Sequence, residues 1–136
     1  MPLHLTIVTP EGEAFDGDVD QVVLPGTEGD FGVLEQHERF LAPLRMGAVE
    51  IQSGGKSDWS AISGGFADVS AERVVVLVDT YYHSDKLDLA HLDRELEKAR
   101  EELRNLGGTP EEQLRRDEVE HTIVRDTVLH EVAGRR

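Results

Sequence analysis

The sequence predicts an α+β chain in two parts. An N-terminal antiparallel β-sandwich of about ten short strands fills residues 1–84, and a C-terminal antiparallel α-helical hairpin fills 85–136. Three observations carry this. Short apolar runs, punctuated by turn residues about every eight to twelve positions, occupy the first ~80 residues. From Asp85 onward almost no strand pattern remains. There Leu89, Leu92, Leu96, Ala99, Leu103 and Leu106 recur at helical spacing.

Leu3, Leu5 and Ile7 alternate with His4, Thr6 and Val8, the period-two pattern of a strand with one buried face. Thr9-Pro10-Glu11-Gly12 breaks it, Glu13 to Phe15 reads as a short strand, and Asp16-Gly17-Asp18 reads as a turn. Val19 to Leu24 is the next strand. It runs into Pro25-Gly26-Thr27-Glu28-Gly29-Asp30-Phe31-Gly32-Val33-Leu34, a Gly-rich turn at a sheet edge with Glu28 and Asp30 expected to face water. Phe40 to Leu44 and Ala48 to Gln52 follow as strands, then the hairpin turn Gly54-Gly55-Lys56-Ser57. Asp58 to Ile62 alternates, with Trp59 and Ala61 on one side, and Ser63-Gly64-Gly65 punctuates before Phe66 and Val69. The β-branched run Val74 to Val78 predicts a strand covered on both faces.

In the second part, Asp85 reads as an N-cap and the Leu stripe as one face of a helix, narrow enough for a coiled-coil seam. Gly107-Gly108 stops that helix. Thr109-Pro110-Glu111-Glu112 is a capping box with Pro at the first helical position, so a second helix starts there. Its apolar residues (Leu114, Val119, Ile123, Val124, Val128, Leu129 and Val132) spread widely around the circumference. A helix patterned so loosely suits more than one docking arrangement.

Lys and Arg number 14 against 28 acids, a formal charge of −14. That argues against nucleic acid or an anionic membrane surface as direct partners. Residues 1–84 carry −10 and residues 85–136 carry −4, so the cations concentrate in the helices. Many helical cations serve as i,i+4 or i,i+3 partners of acids, such as Glu97 with Arg100 or Glu112 with Arg116. The Arg115-Arg116 doublet and Arg125, on the loosely patterned helix, are the better candidates for meeting an acidic partner. There are no cysteines, hence no disulfide framework and no thiolate metal site. No apolar run reaches the roughly 18 residues of a spanning helix. With strand-like sequence by Leu3, no signal or transit peptide is expected.

Catalytic motifs are imitated but incomplete. Gly55-Lys56-Ser57 ends like a phosphate-binding loop, but Glu50 stands where its first Gly belongs and strands flank it on both sides. Asp16, Asp18 and Asp20 open like a calcium loop, but Gln21 and Thr27 occupy its Gly and Glu positions. Ser63 lacks the Gly-x-Ser-x-Gly frame. His4, His37, His83, His91, His121 and His130 form no His-x-x-x-His pair, and Glu118 with His121 makes a single Glu-x-x-His. No metal, cofactor or catalytic residue is expected. These are the parts of an interaction protein.

Leu24 to Leu34, His37, Gly47 before a strand, Ser63-Gly64-Gly65-Phe66 with Val69, and Val74-x-Val76-Leu77-x-Asp79 together resemble the epsilon subunit of F-type ATP synthases. The resemblance covers nearly the whole chain, by motifs in the first part and by architecture in the second. It implies a flattened ten-stranded β-sandwich that binds the γ subunit and the c ring of the rotating central stalk. It implies that the acidic loop meets polar loops of the c ring, with Asp30, beside Glu28, at the matching position. It further implies a regulatory hairpin, folded against the sandwich or extended along γ toward the catalytic subunits, where it blocks ATP hydrolysis. Arg115, Arg116 and Arg125 would then face the catalytic β subunit.

Two departures stand out. Glu35-Gln36-His37-Glu38-Arg39-Phe40-Leu41 replaces the usual Pro-Gly-His-Ala-Pro-Leu-Leu. The nucleotide motif Leu/Ile-Asp-x-x-Arg-Ala reads Leu87-Asp88-Leu89-Ala90-His91-Leu92, which keeps Asp88 but puts His91 in place of the phosphate-facing Arg. Weak or absent ATP sensing is expected. Asp88 has a sufficient role at the positive end of the helix. The implied location is peripheral, on the cytoplasmic face of a bacterial inner membrane or at a plastid thylakoid, held through partners.

The alternative reading is a free-standing β-sandwich binding module whose Leu89–Leu106 stripe dimerises. A third, a small metal-dependent hydrolase, has only scattered histidines and acids in its favour.

Overall fold

The computed structural model describes residues 3–34 and 38–135. His37, with the loop sequence Glu35-Gln36-His37, and the terminal Arg136 lie outside the described residues. Eight strands come first: β1 (Leu3–Thr9), β2 (Gly12–Val19), β3 (Gln21–Gly26), β4 (Gly29–Val33), β5 (Phe40–Ser53), β6 (Lys56–Val69), β7 (Arg73–Val78) and β8 (Tyr81–His83). A single 3₁₀ turn (Ser84–Lys86) leads to the helices α1 (Leu89–Asn105) and α2 (Pro110–Ala133).

β5 and β6 are each 14 residues long, because the segments expected as separate strands run together. Each serves both layers of the sandwich. Residues 40–44 of β5 pair with 65–69 of β6, and the latter pair with β7, which pairs with β1 and through it with β2. Residues 46–53 of β5 pair with 56–63 of β6, and this half adjoins β3 and β8, with β4 beyond β3. The two long strands therefore supply ten strand segments from eight strands.

The bend falls at Gly64 and Gly65, with φ of 104° and 149°. A Cβ on Gly65 would lie 1.9 Å from the Leu77 carbonyl oxygen, so the close approach of β6 to β7 needs glycine there. The pairs are antiparallel except β1 with β7, which is parallel. This places the N-terminal strand beside the last long strand of its layer.

The core takes Leu3, Leu5 and Ile7 from β1, and Val74 and Val76 from β7, all fully buried. From the other layer it takes Val22, Leu24, Val33, Val49 and Ile62, also fully buried. Each such side chain stabilises by about 1.5–3 kcal/mol on burial, an upper figure because the unfolded chain is partly compact.

Three local expectations are corrected. Asp16-Gly17-Asp18 is not a turn: β2 runs through it, since Asp16 and Asp18 accept hydrogen bonds from His4 and Thr6 on β1. The N-cap of the first helix is Asp88, not Asp85; Asp88 Oδ1 accepts from the His91 backbone N–H at 3.2 Å. The 3₁₀ turn uses up the residues between. And β7 is covered on one face only: Val74, Val76 and Val78 are buried, whereas Leu77 is 52% exposed.

The hairpin folds back on the sandwich. Leu92 of α1 and Leu129, Val132 and Ala133 of α2 pack with Ala61 of β6, flanked by Trp59, Ala48 and Tyr82. So β6 turns Ile62 into the sandwich core and Trp59 and Ala61 toward the helices. Arg135 closes the contact, its guanidinium 4.7 Å from the Trp59 ring centre. The predicted capping box forms: the Glu112 N–H donates to Thr109 Oγ1 at 3.2 Å, and the Glu112 carboxylate accepts from Thr109 Oγ1 and the Gly107 N–H.

Candidate functional site

The acidic turn joins β3 to β4. Thr27 to Asp30 are exposed, as the sequence predicts. Asp30 is not a free carboxylate, however. Arg45 of β5 donates from Nη2 to Asp30 Oδ1 and from Nη1 to its neighbour's carbonyl, Met46 O, at 3.2 Å. Nothing in the sequence points to Arg45, because a lone Arg inside an apolar run carries no pattern.

Its path crosses β3, which lies between β5 and β4. Gly47 leaves room: a Cβ there would sit 2.6 Å from Pro25 Cβ and 2.9 Å from Arg45 Nη1. Glu28 is exposed beside this pair. Beneath the turn, Phe31 and Phe40 meet edge to face at 5.8 Å and line a cleft with Gly26, Ala42 and Pro43. The tip therefore offers one uncompensated acid, one paired acid and an apolar seat.

A second surface was not legible as such. Leu41, Pro43, Phe66 and Leu77 are exposed, and Pro43 with Phe66 and Phe66 with Leu77 are direct cross-strand neighbours. Large apolar side chains in adjoining register form a stripe across β5, β6 and β7. Such contiguous exposure is a patch rather than scattered surface residues.

The arginines of α2 face α1. Arg115 Nε and Nη2 donate to the two oxygens of Glu102 at 2.8 and 3.0 Å, and Nη1 donates to Glu118 at 3.1 Å. Arg115 hydrogen bonding holds the Glu102 carboxyl below its ordinary range, and Glu102 in turn pushes the Arg115 guanidinium up. Arg116 Nη1 donates to the carbonyls of Leu103 and Leu106, closing the frayed end of α1. Arg125 Nη2 donates to Glu95 at 3.3 Å, and His130 Nε2 lies 2.6 Å from Asp93 Oδ1.

The helix pair is thus a ladder, with acids on α1 and bases on α2. The expected Glu112–Arg116 pair does not form, because Glu112 is committed to the cap and Arg116 to carbonyls and Glu120. All three singled-out arginines are engaged within the folded hairpin.

Asp88 and His91 sit at the start of α1. Asp88 caps the helix, and His91 Nε2 lies 3.4 Å from Glu95 Oε2. Glu95 also accepts from Arg125 of α2, so His91 joins the ion pairs of the folded hairpin. Among the described residues no group of three or more His, Asp or Glu is placed to hold a metal ion. None of the described helices is long and apolar enough to cross a membrane.

Comparison with known proteins agrees with this fold. The family described as "ATP synthase, Delta/Epsilon chain, beta-sandwich domain" matches residues 2–84, one residue past the last strand. An ATP synthase epsilon chain of Halalkalibacterium halodurans is 33% identical over 133 residues, 98% of each chain. One from Maricaulis maris is 43% identical over 101 residues, 74% of this chain and 76% of that one. Among solved structures, a chain of the Euglena gracilis mitochondrial ATP synthase shares the fold, with a TM-score of 0.72 at 24% identity over 98% of this chain and 78% of that one. Matched through more than half its length by the family and nearly end to end by a relative, the chain belongs to the epsilon-chain family of F-type ATP synthases.

Proposed function

We propose that this epsilon chain is a non-catalytic rotor subunit of a proton-translocating ATP synthase. Residues 1–84 would bind the γ subunit and the c ring, and residues 85–136 would restrain ATP hydrolysis. The observation that carries the assembly reading is the apolar stripe Leu41, Pro43, Phe66 and Leu77, left uncovered on an otherwise strongly acidic molecule. Burying it on a partner recovers hydrophobic free energy that the free chain forgoes. At the tip, Glu28 and the Arg45-linked Asp30 would face basic c-ring loops.

The hairpin fits a movable arm. Its seat on the sandwich is a small apolar cluster, and much of its internal closure is ionic. Ion pairs between half-exposed groups exchange partners at little cost. On extension, Arg115, Arg116 and Arg125 would leave Glu102, the α1 carbonyls and Glu95 for an acidic segment of the catalytic β subunit. ATP sensing through Asp88 and His91 would be weak or absent, since Asp88 is occupied as a cap. Attachment to the membrane would run through partners, on the cytoplasmic face of a bacterial inner membrane or at a thylakoid.

The free-standing dimerising module has less in its favour. The middle of the stripe it needs is spent internally, with Leu92, Leu96 and Ala99 each 7% exposed or less, and Leu89 alone of its members is exposed, at 37%.

The test mixes an ATPase core containing γ but lacking epsilon with the full chain, or with a chain ending at Ser84. Binding by both with inhibition by the full chain alone is the expected result. Binding without inhibition by either would leave the assembly role and remove the brake. No binding by either would remove the rotor reading altogether.

A further inference from the structure

The inner face of α2 carries one residue of the wrong chemistry. Val119, Leu129, Val132 and Ala133 are buried there, and Asp126, three positions before Leu129 and seven before Ala133, is buried with them at 1% exposure. An aliphatic residue at 126 would continue the apolar face. Instead a carboxylate is withdrawn from water. Its Oδ1 accepts from Arg125 Nε at 3.1 Å, while its Oδ2 is buried and has no hydrogen-bond partner among the described residues. Arg125 is itself shared, donating from Nη2 to Glu95 of α1. One guanidinium therefore answers two carboxylates, one of them buried.

A half-satisfied buried carboxylate works against the arrangement that buries it. The penalty exists only while α2 is packed, because in an undocked helix Asp126 faces water. We infer that Asp126 is a release element: it weakens the packing of α2 on α1 and the sandwich, so that the folded hairpin is held less firmly than its apolar contacts alone would hold it. Arg125 moderates this penalty. A partner that draws Arg125 away from Glu95 and Asp126 would raise it and favour release further. The inference deepens the regulatory reading above and rests on it for its consequence, that the arm leaves the sandwich.

The test is amide hydrogen exchange on the free full-length chain, comparing α2 with β1 and β7 in the parent, Asp126→Asn and Asp126→Leu. Asp126→Asn keeps the shape and removes the charge; Asp126→Leu also extends the apolar face. The expected result is α2 exchange slowed about tenfold in Asp126→Leu and by a smaller factor in Asp126→Asn, with the strand amides unchanged. Arg125→Gln should speed α2 exchange, and by less when combined with Asp126→Asn.

Unchanged or faster α2 exchange in Asp126→Leu overturns the inference. If that variant loses strand protection, Asp126→Asn decides by the same criterion. No ATPase is present in this measurement. Failure of the chain to inhibit hydrolysis would therefore sink the regulatory reading and leave the Asp126 result standing, and the reverse also holds.

Discussion

Arg115 of α2 grips Glu102 of α1 with two parallel hydrogen bonds, 2.8 and 3.0 Å long, across the two helices of the hairpin. The fork-on-carboxylate geometry is the one Lys cannot reproduce. Both side chains remain substantially exposed, at 52% and 39%, so the pair orients the helices more than it stabilises them.

This pair separates two roles of one arginine. Glu102→Gln should loosen the hairpin and release Arg115 from α1, leaving only its Glu118 contact within α2, and so give stronger inhibition of ATP hydrolysis by the full chain. Arg115→Gln should loosen the hairpin equally but weaken inhibition, because the group offered to the acidic partner is gone. Hydrolysis by the reconstituted core, titrated with each variant, checks this. Equal inhibition by the two variants would show that Arg115 acts only within the hairpin.

His4 should give the sandwich a pH-dependent clasp. Its two ring nitrogens lie 2.8 Å from Asp18 Oδ1 and Asp16 Oδ1. Those hydrogen bonds, Asp18 first, raise its pKa above the ordinary 6.5, and Thr6 and His4 lower that of Asp16 below 3.8. The His4 contribution is full below 6.5 and fades as pH rises through the raised folded value. The Asp16 contribution is full above 3.8 and fades as pH falls through its lowered value. Thermal unfolding from pH about 5 to 8 should show stability declining at the alkaline end, and His4→Gln should flatten that decline.

Gly65→Ala should cost about 3 kcal/mol or more, measured by urea unfolding of the sandwich. Its φ of 149° is unfavourable to a side chain, and the added Cβ would meet the backbone oxygen of Leu77 at 1.9 Å. Gly12→Ala probes φ alone: at 122° with open space around its Cβ, it should cost less.

Leu129→Ala should release the hairpin and spare the sandwich. Leu129 is 5% exposed in the cluster that seats α2. Removing its side chain should weaken docking by about 2–4 kcal/mol. Trp59, the sole tryptophan, lies against Arg135 and the same cluster, so its emission reports docking directly. Strand amide protection should be unaltered; its loss would mean that sandwich and hairpin fold as one unit.

Much of the architecture is legible in the order of residues because its causes are local. Alternation at Leu3, Leu5 and Ile7 survives as a buried face, the Thr109–Glu112 cap forms as written, and the Leu92–Leu96–Ala99 stripe is the buried side of α1. The turn at Glu28 and Asp30 is exposed as expected. What misled was also local. Asp-Gly-Asp resembles a turn, and nothing nearby in sequence shows that His4 and Thr6 will hold those aspartates in a strand. Val74 to Val78 looks covered on both faces, because apolar content cannot tell a core face from one awaiting a partner.

By itself, then, the chain's sequence determined two structural parts, their order, the helix boundaries set by Thr109 and Gly107, and membership of a family whose motifs lie in residues 24–79. These depend on period, caps and turn chemistry, which act over a few residues. Only the tertiary structure decided that Arg45 would pair with Asp30, that α2 would offer its arginines to α1, and that Asp126 would be buried with one oxygen unanswered. Each of these depends on which distant segments come within hydrogen-bond reach, and that is set by packing rather than by position along the chain.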